Sequence, residues 1–387
     1  MGGFFAYYSL IKKYALHFMK QLFWILFSLL FSATSFAQLL NDNESKQLII
    51  KGLDKLYNYE FKEADAYFQN VKAKYPKHPV TPLLSALQVQ WQYLPVEQNP
   101  KALAQYLVLL EKCQLSAENL LQDPSKKAEA IFFLVASHGY IALVLNYKKE
   151  QVKAANESRK AYGYLKDGKQ LIDKNPEFLF TSGLYNFYRI QYPETHPIVK
   201  PVMIFFENGN KKLGIQQLEQ AVQKSIFSRI EASFYLMNVF LKYESNYPKA
   251  LVYSNWLHEK YPNNLIYTMR HIESLIMNGK VDDALPLIQQ LKRTNDKVYL
   301  LAGNLFEGLV LEKFKKNDKA AAEHYVTVLK MQPNERYTND YFAMAYAGIA
   351  RISIRSGNHK RAEELYRRCL EYAQYKSTIN EANNFLK

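Results

Sequence analysis

From residue 38 onward, apolar residues recur three and four positions apart, and stretches of strict alternation are scarce. That spacing gathers apolar side chains on one face of a helix, so the pattern predicts helices throughout and no sheet. Turn signals such as Asn278-Gly279 and Asn317-Asp318 break the pattern at short intervals. They predict helices joined by tight turns rather than by long linkers.

The first segment reads differently. Met19-Lys20-Gln21 precedes an apolar run from Leu22 to Phe31, broken only by Ser28, and Ser35-Phe36-Ala37 follows with small residues where a signal peptidase reads. The run is too short to cross a hydrocarbon core of about 30 Å comfortably. Residues 1–37 are therefore expected to be a signal peptide, with the mature chain starting at Gln38 and exported to the periplasm or cell envelope. Residues 1–18 are either an extended leader carrying Lys12 and Lys13 or lie upstream of the true start at Met19.

Four C-terminal units share a pattern: Asn246-Tyr247-Pro248-Lys249-Ala250, Gly279-Lys280-Val281-Asp282-Asp283-Ala284, Asn317-Asp318-Lys319-Ala320-Ala321 and Gly357-Asn358-His359-Lys360-Arg361-Ala362. A fifth copy, Tyr59 to Ala64, lies near the mature N-terminus and is followed by Phe68, Val71 and Pro76. Aligned on the alanines, the C-terminal spacings are 34, 37 and 41 residues. Pro76, Pro262 and Pro333 each stand twelve residues after their alanine, and Gly52 stands twelve before Ala64. The physical logic is that of a packed helical hairpin. A small residue lets two helices approach, an aromatic fills the space beside the contact, and proline ends the second helix. Each hairpin leaves an apolar face for the next to cover.

These motifs resemble the tetratricopeptide repeat, whose period is about 34 residues. The resemblance implies an all-α fold: an α-solenoid of helical hairpins wound as a right-handed superhelix, with a groove lined by the first helix of each unit. Residues 38–230 read as degenerate repeats, with hairpins near 80–121 and 126–173 and an insertion at 192–208. Residues 231–387 read as better-formed repeats continuous with them. The sequence Tyr192-Pro193-Glu194-Thr195-His196-Pro197 is expected to be irregular. A shorter run, Ser182 to Phe187, Pro193, Phe205-Phe206, Gly209-Asn210 and Gly214 to Leu218, is similar to a segment of the tetratricopeptide-39 and outer-mitochondrial Iml2-like proteins. Neither family implies an enzyme.

Charge and chemistry narrow the picture further. The formal charge is +14, which falls to +11 without Lys12, Lys13 and Lys20. The basic residues are dispersed, so no nucleic-acid partner is expected, although peripheral contact with a membrane surface is compatible with the excess. The two cysteines, Cys113 and Cys369, are too far apart along an extended array to pair and read as buried fillers. No phosphate-cradling loop, metal-ligand spacing or nucleophile motif appears, so no catalytic residue, metal or cofactor is expected. There are 30 tyrosines, most of them expected to serve inter-helix packing. By register, the groove-facing set is Tyr235, Tyr243, Phe306, Phe314, Arg351 and Arg355, residue types that dominate binding energy elsewhere. Tyr235 and Val239 stand where some family members carry a Lys/Asn clamp for a terminal carboxylate. The expectation is a non-catalytic scaffold for a protein or peptide partner; the alternative is a lipid- or glycan-binding protein of the cell envelope, using the apolar insertion.

Overall fold

Helix follows helix, each packed on the next, and no strand forms among the described residues. A computed structural model of the chain describes residues 39–195, 200, 206–334 and 336–387. The signal-peptide assignment and most of the proposed insertion therefore lie outside the described residues. From Asn43 to Lys387 the helices form eight hairpins and a closing helix. The N-terminal hairpins are α1 (Asn43–Tyr57) with α2 (Phe61–Lys74), α3 (Val80–Gln92) with α4 (Pro100–Leu121), α5 (Lys127–Tyr147) with α6 (Gln151–Lys169), and α7 (Phe178–Thr195) with α8 (Lys211–Lys224). The C-terminal ones are α9 (Arg229–Asn238) with α10 (Tyr247–Lys260), α11 (Leu265–Met277) with α12 (Val281–Lys292), α13 (Lys297–Lys313) with α14 (Asp318–Lys330), and α15 (Asn339–Arg355) with α16 (His359–Tyr372). Helix α17 (Lys376–Leu386) closes the array. The fold is an all-α solenoid of tetratricopeptide-type hairpins.

One turn geometry recurs inside six of these hairpins. Tyr59, Lys149, Ser245 and Lys316 have positive φ, and Gly279 and Gly357 do at the equivalent place. Each stands two residues before the second helix. The next amide then reaches back to a carbonyl of the first helix, as Glu60 does to Lys55, Glu150 to Leu145 and Asn358 to Ser353. Five residues beyond each turn lies a buried alanine: Ala64, Ala154, Ala250, Ala284, Ala321 and Ala362. The α5–α6 hairpin is thus a regular repeat, centred on Ala154. Asparagine caps start five of the second helices: the side chains of Asn99, Asn210, Asn246, Asn317 and Asn358 accept from Ala102, Leu213, Lys249, Ala320 and Arg361. Each such cap contributes about 1 kcal/mol.

Small residues meet aromatics where helices cross. A Cβ at Gly52 would overlap the ring of Phe68, and Gly308 and Gly348 flank Tyr325. Gly183 of α7 and Gly214 of α8 face one another; a Cβ on Gly183 would stand 2.8 Å from Leu218, and one on Gly214 2.7 Å from the backbone nitrogen of Phe187. That close approach accounts for Gly183 and Gly214 of the 182–218 run, while a Cβ on Gly209 would stand 2.6 Å from the Asn186 carbonyl oxygen. It also corrects the expectation for Tyr192 to Thr195, which continue α7 with Pro193 inside it. Proline sits in the final turn, where it removes a single backbone bond while the helix stays packed on α8.

Helix α5 is apolar on nearly every side. With the turn before it, Pro124–Tyr147 is long and apolar enough to cross a membrane, yet 67 % of the apolar window is buried in the solenoid. A helix hydrophobic all round belongs in a core. Here α5 packs between α4 and α6 while Phe132 and Phe133 meet Phe227 from the loop before α9.

Candidate functional site

In an open solenoid each unit touches only its neighbours. Here several contacts skip units and run across the enclosed side of the array. Asp54 on α1 pairs with Arg229 on α9, and accepts from the Tyr261 hydroxyl at 2.7 Å. Asn264 donates to the Tyr57 carbonyl at 2.9 Å, and the Asn263 amide to the Asn58 side chain at 3.0 Å. Farther along, Arg336, in the turn before α15, donates to both oxygens of Glu97 at 3.3 Å. Its guanidinium lies 4.4 Å from the centre of the Tyr147 ring. These clasps draw residues more than 170 positions apart around one centre.

The centre is lined with tyrosines. Helix α5 supplies Tyr140 and Tyr147, α7 supplies Tyr188, and α9 supplies Tyr235; Tyr337 comes from the turn before α15. Tyr235 packs edge-on against Phe180 and Tyr188, with ring centres 5.7 and 6.4 Å away. All five tyrosines are half-buried. The hydroxyls of Tyr147, Tyr188, Tyr235 and Tyr337 make no hydrogen bond to described residues. Burial first, then Tyr147 and Glu231, pushes the Tyr235 phenol up to about 12. The Tyr235 phenol therefore stays protonated across neutrality and acts as a hydrogen-bond donor.

Glu231, one turn before Tyr235, is the exceptional charge. Its Oε2 is buried and makes no hydrogen bond, while Oε1 is 3.5 Å from the Tyr140 hydroxyl. Burial raises its carboxyl to about 8. Neighbouring charges have partners, although Arg229 Nε is buried without one. Glu177 accepts from the Phe227 and Ser228 amides and the Ser228 hydroxyl, at 3.0, 3.1 and 2.6 Å. Arg229 is held by Asp54 and Arg336 by Glu97.

The six residues singled out by register do not share one face. Tyr235 belongs to the centre. Tyr243 lies in a π-helical turn, Val239–Tyr243, that extends α9, and contacts Tyr188 edge-on at 6.0 Å. It also lines a small cavity of about 160 Å³ with Gln191, Glu194 and Lys211 and with Gln374, Lys376, Ile379 and Asn380 around the start of α17. Phe306 requires a correction: it is fully buried against Tyr341, ring centres 5.3 Å apart, and offers nothing to a ligand. Phe314 is exposed at the end of α13.

Arg351 and Arg355 also require a correction as free anchors. Arg351 grips Glu312 through two nitrogens at 2.8 and 2.7 Å, and Glu381 at 2.8 Å. Arg355 reaches Glu312 at 3.0 Å and Asp318 at 2.7 Å. Tyr325 donates to Glu312 at 2.7 Å. Burial pushes the Glu312 carboxyl up, but Arg351, Tyr325 and Arg355 outweigh it and hold it at about 2. These arginines tie α13, α14, α15 and α17 together.

Register reasoning missed Glu231, Arg336 and Tyr140. Nothing local marks them, because their surroundings come from units distant in sequence. Cys113 and Cys369 are both buried and unpaired.

No family model and no curated protein matches the chain. Among solved structures, it is similar to a tetratricopeptide repeat protein from Parabacteroides merdae ATCC 43184, at 16 % identity and a TM-score of 0.33, over 79 % of this chain and 99 % of that one. Likeness at that level carries no argument about the site, and the repeat assignment stands on the hairpin register. The resemblance to the Iml2-like proteins gains no support.

Proposed function

We propose that this chain is an exported, non-catalytic scaffold that binds a protein or peptide partner through its tyrosine-lined centre. The observation that carries the reading is the set of half-buried tyrosines whose hydroxyls have no protein partner among the described residues. Tyrosine offers large, rigid area and a donor at low entropic cost, which suits a recognition surface. The clasps that enclose the centre are polar, built from Asp54, Arg229, Glu97 and Arg336. Polar interfaces of this kind separate and re-form more readily than a continuous apolar core.

Site-specific photocrosslinking in the native cell envelope tests this. A photoreactive phenylalanine analogue at Tyr235 should capture a protein partner. The same group at Val152, exposed on α6, should not. Capture at Val152 alone would place recognition on the outer surface, and capture of lipid or glycan at Tyr235 would change the partner class. Export is a separate part of the proposal, supported by the Leu22–Phe31 run and Ser35-Phe36-Ala37. N-terminal sequencing of the protein from the envelope fraction should read from Gln38; retention of Met19 to Ala37 would overturn it.

A further inference from the structure

Among the described residues, each charge around the centre has an ion-pair partner or, for Glu177, amide and hydroxyl donors, with Glu231 the exception. Arg229 is held by Asp54, Arg336 by Glu97, Arg270 by Glu273 and Lys242 by Asp340. Among the described residues Glu231 has no cation beside it, and one of its oxygens is buried without a hydrogen bond. Leaving a buried carboxyl in this state is unfavourable, and no lysine or arginine among the described residues pairs with it. Aromatic rings and a lone carboxylate favour the same kind of ligand, a cation, because ring faces carry negative potential.

We propose that the centre accepts a basic side chain of the partner, a lysine ammonium or an arginine guanidinium, with Glu231 as its counter-ion and Tyr140 and Tyr235 around it. This rests on the reading that the centre is the binding site. In the free protein Glu231 holds a proton near neutrality, because burial lifts its carboxyl to about 8. Pairing with an incoming cation favours the ionised form, so binding at pH 7 releases that proton to solvent. The titratable and charged groups around Glu231 are Tyr140 of α5, Glu177 at the start of α7, Arg229 and Tyr235 of α9, and Tyr267 of α11. The three phenols stay protonated at pH 7 and Arg229 is held by Asp54, while burial raises the Glu177 carboxyl against the opposing pull of the Ser228 hydroxyl and three backbone amides. Glu177 keeps its own donors on binding, so the released proton is assigned to Glu231, and Glu231→Gln tests that assignment.

The test uses the full chain and matched decapeptides that differ only in a central lysine, arginine, norleucine or glutamate. Calorimetry is run at pH 7 in buffers of different ionisation enthalpy. The lysine and arginine peptides should bind about tenfold or more tighter than the norleucine peptide, given a desolvated cation–aromatic contact. Their binding should release close to one proton. Glu231→Gln should keep its circular dichroism spectrum and lose both the preference and the proton release, while Tyr235→Ala should weaken every peptide. Equal binding of lysine and norleucine peptides, still weakened by Tyr235→Ala, would overturn the cation and leave the central site standing. Binding untouched by Tyr235→Ala, or no binding of any peptide, would overturn both.

Discussion

Two glutamates on first helices of their hairpins have opposite surroundings. Glu312 on α13 is almost fully buried but receives Arg351, Arg355 and the Tyr325 hydroxyl, and its carboxyl is held at about 2. Glu231 on α9 lies beside Tyr140 and has no cation beside it among the described residues, and its carboxyl rises to about 8. The difference separates a site completed within the fold from the one proposed for recognition. Around Glu312 every donor is committed, so the arginines that seemed the best binding anchors hold the C-terminal units together. Around Glu231 one carboxylate oxygen is left without a donor, which is the observation on which the proposed cation site rests.

The largest effect should come from breaking the satisfied site. Arg351→Ala leaves Glu312 buried with too little counter-charge and should cost about 3–5 kcal/mol in urea denaturation. A loss below about 1 kcal/mol would place Arg351 with ordinary surface residues.

The pH dependence should separate the two carboxyls by sign. Glu312 titrates lower in the fold than in the unfolded chain, so its contribution is present above the usual carboxylate value of 4.5 and is lost as pH falls toward 2. Glu231 titrates higher in the fold, so its effect is the reverse: stability is highest below 4.5 and falls as pH rises toward 8. Thermal midpoints of wild type and Glu231→Gln should therefore diverge between pH 5 and about 8, with wild type losing ground. Parallel profiles would remove the distinction between the sites.

Hydroxyl deletions sharpen the contrast. Tyr325→Phe removes a buried bond to a charged acceptor and should cost about 1.5–3 kcal/mol. Tyr140→Phe removes only the 3.5 Å approach to Glu231 and should cost less than about 1 kcal/mol. Similar losses would mean that the two hydroxyls do the same job. The smallest effect belongs to Arg355→Ala. That side chain is 45 % exposed, and Arg351 remains on Glu312, so about 1 kcal/mol or less is expected by chemical denaturation.

The C-terminal units were legible because each carries its own punctuation: Asn or Gly at the turn, then alanine, then a large residue. Ala154 escaped notice because Lys149 occupies the left-handed turn position and Ser158 stands four residues after the alanine, where other units carry Phe68, Tyr325 or Tyr366. The hairpin nevertheless packs by the same rule, through the shape of the turn rather than its residue type. Pro193 suggested a break because local preference was read without α8, whose glycine contact holds α7 in place. Tyr235 was visible from register, but Phe306 one position class away proved to be core. Its fate depends on Tyr341 arriving from the next hairpin. The central site was least legible. Tyr140, Glu231 and Arg336 acquire their surroundings only when hairpins far apart in sequence close around one another, and no short-range pattern encodes that.

A carboxyl-carbon NMR titration of the free full chain, labelled at glutamate and assigned with Glu231→Gln and Glu312→Gln, addresses the contrast most directly. Glu231 should titrate near 8 and Glu312 near 2, and the Glu231 carbon should shift to its ionised position at pH 7 when the lysine peptide is added. A Glu231 that titrates with ordinary carboxylates in the free protein, unmoved by the peptide, would contradict both the incomplete site and the cation it is inferred to receive.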